Sequence, residues 1–235
     1  MGRQQNIKLI KTVGQIEYYE SKGRFFVRSK PANIKQTDGT INRANDFGKA
    51  SALAKSIRLC AAPILPFKPD RILINRLNKT VYAFLCNNNL TSAAALSFIT
   101  GFEFNEKSKL SERFKINMPI PIVHDTGITI QLPAFNPMQK ITAPAYTKKI
   151  KFKIIAANIN FKNPAVFNSN YVIVTNDYNN NIAVAQEINI QLTITKGTLM
   201  LLMIALQYET CKNNLTKTVT DLRWSPAEIL FSDKF

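Results

Sequence analysis

The stretch INIQLTITKGTLMLLMIAL, residues 188–206, sets two strand patterns back to back. Ile188, Ile190, Leu192 and Ile194 alternate with Asn189, Gln191 and Thr193. A period of two places the apolar set on one side of a pleated strand and the polar set on the other, so this is a half-buried strand. Thr198 to Leu206 is apolar at nearly every position, which suits a central strand or one covered on both faces. Lys196-Gly197 reads as the hairpin turn between them, because glycine accepts the positive φ of tight turns.

Working outward, the same short period recurs from residue 98 onward. Candidate strands are 98–104, 113–117, 127–132, 149–156, 171–175, 187–195, 198–208 and 228–231. The breaks between them hold Pro119, Pro121, Pro133, Pro137, Asn163-Pro164 and Asn179-Asn180-Asn181. Short strands separated by turn residues predict an antiparallel β-sandwich, Ig-like in type, over residues 98–235. The single tryptophan, Trp224, reads as a core anchor.

Upstream the period changes. Phe47, Ala50, Ala54, Ile57 and Ala61 recur at spacings of three and four and share one helical face. Asn42 or Asn45 would cap this helix and Pro63 would stop it. A stiff connector with Pro63, Pro66 and Pro69 follows. Pro69 can open a second helix, with Leu73, Leu77, Val81 and Phe84 on its apolar stripe and Asn87-Asn88-Asn89 at its end. Residues 92–96 add a further helical turn. The connector is longer than the three- or four-residue turn of a DNA-reading helix-turn-helix, which speaks against that motif.

The N-terminal stretch 7–31 reads as a β-meander. Aromatic and β-branched residues around Ile16, Tyr18, Tyr19, Phe25, Phe26 and Val27 suit strands, and Ser21-Lys22-Gly23 links two of them as a hairpin. Pro31 ends the third run. Residues 32–40 are polar and turn-prone. The expected fold class is therefore α+β: an N-terminal meander with two helices over residues 1–97, then the sandwich over 98–235.

Charge narrows the partners. The chain carries 31 Lys and Arg against 15 Asp and Glu, a net +16, and the first hundred residues hold +11 of it. Such an imbalance favours anionic partners, nucleic acid or another polyanion. In the meander, basic side chains interleave with aromatics, as a single-stranded nucleic-acid platform requires: cations for phosphates and π-faces for bases. Candidate polyanion contacts are Arg24, Arg28, Lys30, Lys49, Lys55 and Arg58; candidate stacking or interface residues are Tyr18, Tyr19 and Phe25. The plainer alternative is that the aromatics pack on the chain's own core while Lys and Arg form a solvated face. Exposed strand edges offer a third use, recruitment of another copy.

Chemistry is sparse. His124 is the one histidine, and a neighbouring Asp125 in sequence is not a dyad in space. There is no G-x-S-x-G, H-E-x-x-H, Walker loop or G-x-G-x-x-G, and eight scattered glycines build no phosphate cradle. Glu103 and Glu106 do not read as an acid/base pair, and the aspartates are isolated along the chain. Cys60, Cys86 and Cys211 lack metal-ligand spacing or a disulfide framework and read as buried, reduced thiols. We expect no catalytic residue, no metal and no cofactor. The first twenty residues lack the apolar core of a signal peptide, and Asn6 breaks a myristoylation motif. The longest apolar run, 199–206, is too short to span a bilayer. The expected location is the cytoplasm with no membrane partner; a particle subunit released by lysis would look the same.

Arg3-Gln4, Ile7-Lys8-Leu9, Thr12-Val13-Gly14-x-Ile16-x-Tyr18-Tyr19, Gly23, Val27-Arg28, Phe47-Gly48-Lys49-Ala50 and Gly101-Phe102-Glu103-Phe104-Asn105 together resemble a family of uncharacterised basic proteins from Bacteroidetes. The resemblance runs over residues 1–110; it departs at Lys11, where a glycine is expected, and in the 31–42 loop. It implies the order meander, helices, sandwich, and carries no activity and no functional residue. The function expected is a non-catalytic structural or assembly protein, a homo-oligomer with a basic N-terminal surface. Nucleic-acid binding through backbone contacts is the alternative, and an enzyme of unknown class the weaker one.

Overall fold

A computed structural model describes residues 2–3, 8–30, 36–86 and 99–234, with residues 2 and 3 given by backbone alone. The residue 92–96 helical turn and residues 32–35 of the 32–40 loop lie outside the described residues, and residues 38–40 of that loop are the first residues of a helix. Two compact units divide the chain, Met1–Arg43 and Ala44–Phe235. The division falls within the first helix and not at 97/98.

The N-terminal unit is an antiparallel sheet of four strands, β1 (Gly2–Arg3), β2 (Lys11–Val13), β3 (Ile16–Ser21) and β4 (Arg24–Ser29), in the order β1-β4-β3-β2. Ser21 pairs with Arg24, so Lys22 and Gly23 alone make the turn. Both have positive φ, 49° and 72°, as a two-residue type I′ hairpin demands. No described side chain from residue 8 to residue 30 is buried. A sheet this small gains little from its own packing.

α1 (Asp38–Ala61) begins in the first unit and runs on into the second, where α2 (Arg71–Cys86) follows the proline connector. The cap of α1 lies earlier than Asn42: the Thr40 N–H donates to Thr37 Oγ1 at 3.3 Å. The cap of α2 is Asp70, whose Oδ1 accepts from the Leu73 N–H at 2.7 Å, which leaves Pro69 just outside. Both helices turn apolar stripes inward, Leu53, Ala54 and Ile57 from α1 and Leu73, Leu77, Val81 and Phe84 from α2.

The strands form two sheets. The larger holds β7 (Thr147–Asn160), β8 (Phe167–Asp177), β10 (Thr198–Lys212), β11 (Leu215–Thr218) and β12 (Ala227–Lys234), and the smaller holds β5 (Ile122–His124), β6 (Gly127–Leu132) and β9 (Gln186–Gln191). All pairings are antiparallel. β7 lines one side of β10, while β12 and β11 share the other side in turn. Short helices α3 (Leu110–Arg113) and α4 (Pro137–Lys140) sit in the connections.

β10 explains the layering. Leu199, Leu201 and Met203 face the core shared with α1 and α2. Met200, Leu202, Ile204, Leu206 and Tyr208 face a second core with Ile128, Ile130, Ile188 and Ile190 of the smaller sheet. Each such side chain, fully buried, contributes roughly 1.5–3 kcal/mol. The architecture is α+β, helices on one face of the five-stranded sheet and a three-stranded sheet on the other.

Several expectations need correction. Lys196-Gly197 is not a hairpin turn, because β9 pairs with β6 and not with β10; it carries the chain between sheets. The half-buried and doubly covered patterns belong to different layers for that reason. Residues 113–117 are not a strand: Arg113 ends α3, and Phe114 makes only an isolated bridge to Ile141. In 98–104 the described residues make one isolated bridge, Glu103 to Glu228. β5 and β11 are strands that periodicity did not reveal. Trp224 is partly buried against the second core, edge-on to Tyr208 with ring centroids 6.2 Å apart. Cys60 is buried, which pushes its thiol up to about 12, whereas Cys86 is exposed and Cys211 half-buried; all three are free.

Candidate functional site

Register decides what the N-terminal sheet can present. Tyr19 lies opposite Phe26 and Glu17 opposite Arg28, and directly opposed residues share a face. One face therefore carries Glu17, Tyr19, Arg24, Phe26 and Arg28. The other carries Tyr18, Glu20, Phe25 and Val27. The three aromatics singled out in the sequence are split, Tyr19 on the first face and Tyr18 and Phe25 on the second. Tyr19 stacks on Phe26 at 5.6 Å between centroids. Arg28 lies over the Tyr19 ring at 5.1 Å and pairs with Glu17 at 2.7 Å. Lys8 lies over Phe25 at 5.4 Å. Arg24 and Lys30 are exposed.

The remaining three cations belong to the second unit. Lys49 and Lys55 are exposed on α1, Lys49 with Asp46 at 3.9 Å. Arg58 is half-buried and reaches Asn78 Oδ1 at 3.5 Å, and burial lowers its pKa. Lys49 and Arg58 are about two and a half turns apart, on opposite sides of the helix. The six cations thus do not form one helical or sheet face.

Among the described residues, β2 and β8 are two of the strands that end a sheet; β1, β5, β9 and β11 end the others. β2 ends the N-terminal sheet, with Val13 58% exposed. β8 ends the five-stranded sheet and runs eleven residues. Phe167, Tyr171 and Ile173 alternate along β8 on one face and are 37%, 48% and 45% exposed. Edge strands are ordinarily short or charged, because unpaired N–H and C=O groups template pairing with another chain. β8 is not short, and on that face its one charge is Asp177, at the C-terminal end of the strand.

Sequence reasoning missed a carboxyl pair. Residues 101–104 run along the free side of β12: the Gly101 N–H donates to Ile229 O at 2.7 Å, the Phe104 N–H to Ala227 O at 2.8 Å, and the Ile229 N–H to Phe102 O at 3.1 Å. The last two bonds bracket Glu103 and Glu228, which are therefore a non-hydrogen-bonded pair. Such pairs bring side chains closest, with Cα atoms about 4.5 Å apart. Both carboxyls are half-buried. Burial and then the Glu228 charge push Glu103 up to about 8, against the opposing pull of the Leu110 N–H, which donates to both its oxygens at 3.0 and 3.2 Å. Burial also raises Glu228. Each carboxyl therefore holds a proton more readily than an exposed glutamate does. Like charges directly opposed would otherwise repel. No sequence signal marks this pair, because only the pairing of 101–104 with β12 brings the two residues together.

His124 is exposed at the end of β5. Among the described residues, no three His, Cys, Asp or Glu side chains gather closely enough to hold a metal ion, and no helix is long and apolar enough to cross a membrane. The chain matches no family model, no curated protein and no solved structure.

Proposed function

We propose that this protein is a non-catalytic structural or assembly subunit that associates with copies of itself through strand edges. The observation that carries this reading is β8: eleven residues at a sheet edge, with Phe167, Tyr171 and Ile173 exposed on one face. A second edge, β2, gives the N-terminal sheet a way to extend. Val13 and Ile16 close a two-residue hairpin, so the alternation of hydrogen bonds leaves Thr12 with its N–H and C=O on the open side. At the level of layering, two antiparallel sheets about one core, the Ig-like description is kept as part of the proposal, as is the order of parts implied by the Bacteroidetes resemblance. A cytoplasmic site of synthesis fits the same reading.

Light scattering across a concentration series tests it. Wild type forms oligomers. Tyr171→Lys with Ile173→Lys places charges on the β8 face and shifts the protein toward monomer. Thr12→Pro removes one outward donor from β2 and tests that edge separately. A strictly monomeric wild type at high concentration overturns the proposal.

Nucleic-acid binding is the second reading, favoured by exposed Lys11, Lys22, Arg24 and Lys30 on the N-terminal sheet. It requires affinity that falls steeply as salt rises. Absence of any shift with DNA or RNA at low salt removes it.

A further inference from the structure

A cleft of about 440 Å³ opens between α3, the following segment 114–121, and β12. Leu110, Phe114, Met118, Ile130, Leu202 and Phe231 make its walls apolar. The volume is that of a small-molecule site, such sites running about 300–1,000 Å³. Among the residues lining it, Glu228 carries the one ionisable side chain. Its placement follows from a bulge. The register of β12 on β10 skips Leu230 between Phe231 and Ile229, which sets Glu228 opposite Ile204, on the face toward the second core.

We infer that this cleft binds a small molecule carrying a primary ammonium on an apolar body, with the ammonium on the Glu228 carboxylate and the body against Phe114, Met118 and Phe231. A neutral apolar ligand would strip water from a carboxylate and leave it unpaired, which is costly. An anion would meet the charge of the pair. An ammonium replaces the lost water with a charge-assisted hydrogen bond, while its apolar body gains from burial.

Glu103 backs Glu228 from the other side, where a separate hollow is lined by Arg76, Lys79, Glu106 and Lys109. These are the charged groups around the pair. Arg76 is already engaged, donating to Glu103 O at 2.8 Å and pairing with Glu106 at 3.1 Å. With one proton the pair carries one negative charge, and with none it carries two. The cation is held more tightly by the doubly charged form, so binding strengthens as pH rises through the titration of Glu103. An alkylammonium stays charged up to about pH 9, since its own pKa lies near 10.

Calorimetric titration of the full chain with 2-phenylethylamine, and with 2-phenylethanol as neutral isostere, tests this. The amine binds saturably, roughly tenfold or more tighter than the alcohol, and roughly tenfold tighter at pH 9 than at pH 6. Glu228→Gln abolishes the preference for the amine. Glu103→Gln keeps the binding and flattens its pH dependence. Met118→Trp, which fills the cleft from its rim, blocks binding and serves if Glu228→Gln fails to fold. Equal binding of amine and alcohol, an unaffected Glu228→Gln, or no saturable binding by wild type at millimolar amine overturns the inference.

Discussion

Replacing Glu103 by Gln should make the protein more stable at alkaline pH and leave it unchanged at acidic pH. Glutamine is close in shape to the protonated acid, so it keeps the contact with Glu228 and can still accept from the Leu110 N–H. In wild type the folded-state pKa is raised from the ordinary 4.5 to about 8, chiefly by burial and then by Glu228. The folded protein therefore binds the proton more tightly than the unfolded chain does. The stability this confers is complete below about pH 4.5 and is lost progressively as pH rises to about 8. Unscreened, a rise of that size amounts to ~5 kcal/mol at about 1.4 kcal/mol per pH unit. The carboxyl is only half-buried, so solvent screening reduces this to ~2 kcal/mol. For a unit of this length, ~2 kcal/mol moves the melting temperature by about 4–8 °C. Thermal unfolding at pH 5, 7 and 9 reads it directly. Repulsion among the other charges, net +16, acts on both proteins alike and cancels in the difference. Wild type and variant should coincide at pH 5 and separate by several degrees at pH 9. Parallel curves across that range would refute the raised pKa of Glu103 and the cause assigned to it.

Three further outcomes follow from packing and backbone geometry. Ile204→Ala empties a fully buried position of the second core and should cost about 2–5 kcal/mol in denaturant unfolding. Gly127→Ala places a Cβ against the Ile190 carbonyl oxygen; β6 and β9 must move apart, at about 1–3 kcal/mol, with faster amide exchange along both strands. Asp70→Ala removes the cap of α2 and should cost about 1 kcal/mol, while Asn42→Ala and Asn45→Ala, inside α1, should change stability by less than about 0.5 kcal/mol.

Much of the layering was legible because burial writes itself into period. The run at 199–206 is apolar at both parities, and β10 is covered on both faces. The 188–192 run alternates, and β9 is covered on one. The helices were legible from their stripes and the N-terminal hairpin from Lys22-Gly23, where positive φ is a local requirement. Helix starts were less so, since several polar residues near each start could cap, and only backbone geometry selects Thr37 and Asp70.

The amino-acid sequence by itself determined both long helices and most of the long strands, how many faces each must bury, and where the positive charge is concentrated, because periodicity, turn chemistry and charge are properties of neighbouring residues. Tertiary structure alone decided partners and juxtapositions. It sent β9 and β10 to different sheets across Lys196-Gly197, turned Tyr19 away from Tyr18 and Phe25, and set Glu103 against Glu228 beside an apolar cleft. Strand register and edge pairing join residues far apart in the chain, and a shift of one residue reverses every face.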